Sequence, residues 1–195
     1  MLKKTGLILG LSLIASTAGF AQDTNDDGPT WNYIEGGYTV LNFDDSDLKL
    51  RGVDLRGSFT IKENFFIAAD FLSGTDNQGA DERLNFFNVS AGVKYGLSNS
   101  TDIYIKGGFS SIRESDGSYS DTESGYHVGG GLKFKVASKL DLGASVTYTD
   151  LGNGYDSTKF GGSATYMFTE KMGLGVDVSR QEDITGFGAK LRLAF

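Results

Sequence analysis

The sequence predicts an all-β fold: an antiparallel, up-and-down barrel of ten strands that crosses a membrane with those strands. Three observations predict it. First, the last twelve residues, Ile184 to Phe195 (ITGFGAKLRLAF), alternate Phe187, Ala189, Leu191, Leu193 and Phe195 with Gly186, Gly188, Lys190 and Arg192. That is the period-two pattern of a strand with one apolar face and one wet face. Second, most earlier segments repeat the split, at about the ten-residue length that a tilted membrane strand needs. Third, short and long connections alternate along the chain, as expected when tight turns lie on one side of a membrane and long loops on the other.

The expected domains are three. Residues 1–21 read as a secretory signal peptide: Lys3 and Lys4 form a charged start, Leu7 to Ala15 an apolar core, and Ser16 to Ala21 a small-residue cleavage site. Residues 22–30 (QDTNDDGPT) read as a polar periplasmic leader containing the only proline, and residues 31–195 as the barrel. Removing the signal leaves 16 basic and 25 acidic residues, a net charge of −9 (16 minus 25). An acidic chain is not expected to bind nucleic acid. The absence of Cys excludes disulfides and thiolate metal sites. Nowhere after residue 21 does an apolar run reach the length of a spanning helix.

The ten expected strands are 31–42, 48–61, 65–74, 85–97, 102–112, 125–137, 140–149, 159–168, 172–181 and 184–195. Eight is the alternative count, if two segments fold as loop hairpins. In the second strand, Val53, Leu55, Phe59 and Ile61 alternate with Gly52, Asp54, Arg56, Ser58 and Thr60. In the sixth, Tyr126, Val128, Leu132, Phe134 and Val136 alternate with His127, Gly129, Gly131, Lys133 and Lys135. The tight turns are Lys62 to Asn64, Ser98 to Thr101, Ser138-Lys139 and Thr169 to Lys171. The longer connections are Phe43 to Asp47, Thr75 to Arg83, Arg113 to Ser124 and Asp150 to Thr158; the last connection, near Gln181 to Asp183, is short.

Alternation alone does not say which face points outward. The aromatics decide for the membrane over a soluble barrel. Phe59, Phe65, Tyr95, Phe134, Tyr166, Phe168 and Phe195 gather at the short-turn ends. Phe71, Phe87, Phe109, Tyr126, Tyr148, Phe160 and Phe187 gather at the loop ends. Two aromatic girdles around an aliphatic band are the membrane-barrel arrangement.

The wet face then fills the lumen with a charge network: Glu35, Asp54, Arg56, Asp70, Lys94, Lys106, Lys133, Lys135, Asp141, Asp177, Lys190 and Arg192. Opposite charges in a confined interior should pair, because an unpaired buried charge is costly. The expected role is therefore structural or surface-exposed and non-enzymatic. A narrow channel for ions or small solutes is the alternative, and an enzyme acting on lipid or protein comes third. The single histidine, His127, has Ser124 and Asp121 nearby in sequence, yet nothing fixes a catalytic triad. Acidic loop residues (Asp44, Asp45, Asp47; Asp76, Asp81, Glu82; Glu114, Asp116, Asp121, Glu123) are read as a solvated face, with divalent-cation binding as the less favoured alternative. No catalytic residue, metal ligand or cofactor is assigned.

The opening run Tyr33-Ile34-Glu35-Gly36-Gly37-Tyr38 and the aromatic-ended last strand carry a resemblance. The chain resembles small bacterial outer-membrane barrels related to the xanthomonad protein regulated by the diffusible signal factor, within the wider OmpA-like and OmpX-like group. The resemblance implies an outer-membrane location without established enzymatic activity. It also implies that Phe195 acts as an assembly signal read by the barrel-assembly machinery after delivery by periplasmic chaperones. The expected surroundings are outer-membrane lipid and lipopolysaccharide, and the expected state is a monomer.

Overall fold

Ten strands follow one another: β1 (Tyr33–Phe43), β2 (Lys49–Lys62), β3 (Phe65–Asp76), β4 (Glu82–Ser98), β5 (Thr101–Asp116), β6 (Tyr119–Ala137), β7 (Leu140–Asp150), β8 (Asp156–Met167), β9 (Met172–Gln181) and β10 (Ile184–Ala194). Each pairs antiparallel with its sequence neighbours, and β1 pairs with β10, so the sheet closes into a barrel. The computed structural model describes residues 28–44, 48–76, 82–116, 119–152 and 156–195. The expected signal peptide, residues 22–27 of the leader, Asp45, Asp47 and Asp81 lie outside the described residues, as do the side chains of Glu82 and Asp116.

The strict alternation in the sequence becomes a two-faced wall. Every aromatic of the two expected girdles points out of the barrel, and most are exposed, from Phe59 and Tyr95 at one rim to Phe160 and Phe187 at the other. Between them the outward face carries Ile67, Val89, Ile105, Val146, Val176 and Leu191, all exposed. An aliphatic band of this kind has only hydrocarbon to face, and the closed ladder leaves no unpaired strand edge within it. Among the described residues there is no helix.

Several boundaries differ from those the sequence suggests. The stretch Arg113 to Ser124, expected as a loop, is mostly strand: β5 and β6 continue to Asp116 and Tyr119 as one long hairpin. Its outward residues include Arg113, Ser115 and Ser124, so apolar alternation fades while the backbone ladder continues. β4 and β8 likewise start three residues earlier than expected, at Glu82 and Asp156. At the other end, Trp31 precedes β1 and packs inside the barrel mouth. Register shifts near the tight turns, at Thr60/Lys62, Gly96/Ser98 and Lys135/Ala137, bend β2, β4 and β6 where they approach the short-turn rim.

Candidate functional site

The interior is built in three layers, and residue parity sets which side chain enters each. At the loop end, Leu41, Phe43, Leu50, Leu72, Leu84, Phe86, Ile112, Leu151 and Ile184 form one buried apolar cluster. The sequence suggests a polar, charged lumen, and these inward positions correct that expectation. Leu41 and Phe43, for example, share their side of β1 with Glu35, as the period-two rule dictates. The cluster draws no residue from β6, β8 or β9.

Charges occupy the middle layer. Arg56 is the hub: its Nε lies 3.3 Å from Asp54 Oδ2 and 3.9 Å from Asp70 Oδ1, and its Nη1 lies 3.4 Å from Asp177 Oδ1. Lys190 contacts Asp177 and lies 3.7 Å from Asp54 Oδ2. Thr39 Oγ1 donates to Asp54 Oδ1 at 2.9 Å. Gly37 makes room for this arrangement, since a Cβ there would stand 2.5 Å from Lys190 Cγ. Toward the short-turn end, Arg192 holds Glu35 through Nη2 at 2.6 Å and reaches Asp141 through Nη1 at 3.4 Å.

The layer at the short-turn end is aromatic. Trp31, Tyr33, Phe66, Ala68 and Tyr104 form a second buried cluster. The Trp31 ring centroid is 4.9 Å from that of Phe66 and 5.5 Å from that of Tyr104, the latter edge-on. Trp31 Nε1 donates to Asp102, and Lys94 and Lys133 sit over its ring at 5.2 and 5.0 Å. Lys133 Nζ also donates to the Thr30 carbonyl at 2.9 Å, and the Thr30 amide donates to Asp141 Oδ2 at 3.3 Å. Thr30, the last residue of the expected polar leader, and Trp31 are thus drawn into the barrel mouth.

Of the residues assigned to the lumen network, Glu35, Asp54, Arg56, Asp70, Lys106, Lys133, Asp141, Asp177, Lys190 and Arg192 are buried inside. Lys94 and Lys135 are half-buried at the short-turn rim, the latter opposite Asp141 in the ladder. Lys159 also lies in the lumen, beyond the twelve network residues expected from the sequence. It is buried in the lumen, and its position one residue before the outward Phe160 is the signal that places it there. Phe195 points outward and is exposed, with its amide donating to the Asn32 carbonyl at 3.2 Å.

His127 also has a different partner from those adjacent in sequence. Ser124 Oγ donates to Ser111 Oγ, and Asp121 Oδ1 accepts from the Thr122 amide. The side chain beside His127 is Ser110, with Oγ 2.8 Å from Nδ1, while Ser110 Oγ donates to Asn88 Oδ1 at 2.6 Å. A hydroxyl has one proton, so with that proton on Asn88, Ser110 accepts from His127 Nδ1–H. The histidine is therefore not wired as a base toward the serine. Among the described residues, no group of acids and histidine is placed to hold a metal ion.

The family model described as outer membrane protein beta-barrel domain matches residues 8–168. The chain belongs to that family. Its location is the outer membrane, and the outward aliphatic band faces lipid. Among solved structures, the KdgM porin is similar at 13% identity, with a TM-score of 0.48 over 84% of this chain and 99% of that one. The N-terminal barrel of Pseudomonas aeruginosa OprF is similar at 11% identity and TM-score 0.44, covering 83% of this chain and 98% of that one. Ail of Yersinia pestis is similar at 14% identity and TM-score 0.40, covering 85% of this chain and 97% of that one. No curated protein matches the chain.

Proposed function

We infer that this outer-membrane barrel is a non-enzymatic structural or surface protein whose lumen is sealed against through-passage. One observation carries the reading: the stack of an apolar layer, a layer of paired charges and an aromatic layer around Trp31. A solute crossing the lumen would have to displace Trp31 from Phe66, Tyr104, Asp102 and two lysines. It would also have to part ion pairs in the low-dielectric interior. Ten strands enclose more room than the eight that side chains just fill, yet far less than a porin of about 16 strands. The layered interior, with its paired charges, supports a stiffening role for the network over a conducting one. Against catalysis stands the wiring of Ser110 to Asn88, with Ser110 and His127 both buried.

The narrower likeness to xanthomonad signal-factor-regulated barrels rests on the run Tyr33 to Tyr38, and it favours the same non-enzymatic role. Monomeric insertion in lipid and lipopolysaccharide, with handling by periplasmic chaperones and the assembly complex, belongs to the same proposal. Purified protein reconstituted in planar bilayers tests the sealed lumen. It should give no reproducible unitary conductance steps, and stable steps of one size would overturn the reading in favour of a narrow channel.

A further inference from the structure

The buried charges of the lumen do not balance. Among the described residues, six buried bases, Arg56, Lys106, Lys133, Lys159, Lys190 and Arg192, face five buried acids, Glu35, Asp54, Asp70, Asp141 and Asp177. The surplus is positive inside a chain whose overall charge is −7. Among the described residues, half of these bases have a carboxylate at ion-pair distance and half do not. Arg56 and Lys190 lie against carboxylates, as does Arg192, and Lys133 donates to a carbonyl. Among the described residues, Lys106 and Lys159 have no carboxylate at ion-pair distance, although they are only 4% and 7% exposed. Asp70 is the acid whose field reaches both.

The ladder puts these two lysines in one row. Lys106 on β5 pairs with Gly129 on β6, Gly129 with Thr147 on β7, and Thr147 with Lys159 on β8. The four residues form one row across four strands, all on the lumen face. A Cβ at position 129 would stand 2.7 Å from Thr147 Oγ1, so glycine there leaves room for that hydroxyl on the lumen face. In the next row toward the loops, His127 pairs with Thr149. These residues are 2% and 0% exposed, and neither His127 Nε2 nor Thr149 Oγ1 has a hydrogen-bond partner among the described residues. Two lysines without a carboxylate at ion-pair distance thus lie beneath two buried polar atoms that lack a partner, and such atoms are costly to leave unpaired. The apolar layer borders this wall through Ile112 of β5 and Leu151 just past β7, and it takes nothing from β6 or β8.

We propose that Lys106 and Lys159 bind a small oxyanion of phosphate or sulfate type in the lumen, with the Thr147 and Thr149 hydroxyls as donors. The anion supplies the missing negative charge, and His127 Nε2 accepts from a protonated oxygen of hydrogen phosphate or from a bound water. The site is a dead-end seat within the barrel rather than a step on a transit path, so it requires no conductance.

The test uses the mature chain refolded into lipid vesicles with inorganic phosphate as the ligand, against chloride at matched ionic strength. Unfolding by guanidinium should show a saturable dependence on phosphate. At about 100 times the dissociation constant, the unfolding equilibrium constant falls about 100-fold. Phosphate also stabilises proteins generally by exclusion from their surfaces, so variants separate the two effects. Lys106→Met and Lys159→Met should each abolish the saturable part, whereas Lys139→Met, in an exposed turn, should keep it. Both lumen variants remove an unpaired buried charge and so should fold. An equal phosphate response in Lys106→Met, or none in the native chain, overturns the proposal. A Lys106–Asp70 contact bridged by water would give the latter result. Sealed and conducting barrels are told apart by bilayer recording, so the anion seat and the sealed lumen fail separately.

Discussion

Arg192 and Glu35 meet across the seam where the last strand joins the first: Nη2 and Nε of the guanidinium both reach Oε1, at 2.6 and 2.7 Å. They are direct register partners, so closing the barrel is what brings them together. Arg192 also covers the Tyr33 ring at 4.2 Å and reaches Asp141 at 3.4 Å, tying β10 to β1 and β7. A charge-assisted contact buried this deeply is geometrically demanding, which suits it to fixing the closing register.

Removing only the guanidinium should be severe. Arg192→Met leaves Glu35 and Asp141 as buried carboxylates without their shared cation, a loss of about 3–5 kcal/mol. Adding Glu35→Gln and Asp141→Asn should recover most of it, because the buried charge rather than the missing contact carries the cost. Guanidinium unfolding in vesicles measures both. If Arg192→Met proves within about 1 kcal/mol of the native chain, the backbone ladder alone holds the seam.

The aromatic stopper has its own reporter, because Trp31 is the single tryptophan. At 1% exposure it should emit at blue-shifted wavelength and resist acrylamide quenching in the folded barrel. Trp31→Ala removes a ring packed on Phe66 and Tyr104 and should cost about 3–5 kcal/mol. Strong quenching of the native protein would mean that the residues before β1 lie outside the mouth.

Strand number, pairing order and outward face are legible in the sequence because lipid imposes an uninterrupted period of two. In β9, for instance, Leu174, Val176 and Val178 all face outward, while Asp177 and Ser179 between and beyond them turn inward. The interior is legible only by charge. Lys190 and Arg192 stand out at once, whereas Leu41, Leu72 and Phe86 do not. An apolar residue on the wet side of a strand reads as noise until barrel closure packs it against others. Trp31 escapes for a different reason: its neighbours Phe66, Tyr104 and Asp102 come from β3 and β5, and no local pattern encodes that meeting. The same holds for Ser110 and His127, which are 17 residues apart.

The lipid-facing assignment predicts an asymmetry within one strand. Val176→Arg places a cation between the two girdles and should cost about 2–4 kcal/mol in a bilayer. Arg180→Ala, at the loop end of the same outward face, removes an exposed contact with Asp44 and should cost about 0–1 kcal/mol. Vesicle unfolding compares them directly. Equal small effects would mean that Val176 meets water rather than hydrocarbon.

Deleting Phe195 should separate assembly from stability. Its ring is 58% exposed on the outward face, and its amide donates to the Asn32 carbonyl. Losing that hydrogen bond costs the formed barrel about 1 kcal/mol. The ring adds a modest lipid contact at the rim, where a neighbouring Leu193 already covers the same face. If the aromatic end is what the assembly machinery engages, the truncated chain should reach the outer membrane in much lower yield. Once refolded in vesicles, it should unfold at nearly the native guanidinium midpoint. Comparing heat-modifiable folded protein in membrane fractions with the in vitro midpoint distinguishes the two effects. Undiminished yield from the truncated chain would remove the signal role from Phe195 and leave it as one more rim aromatic.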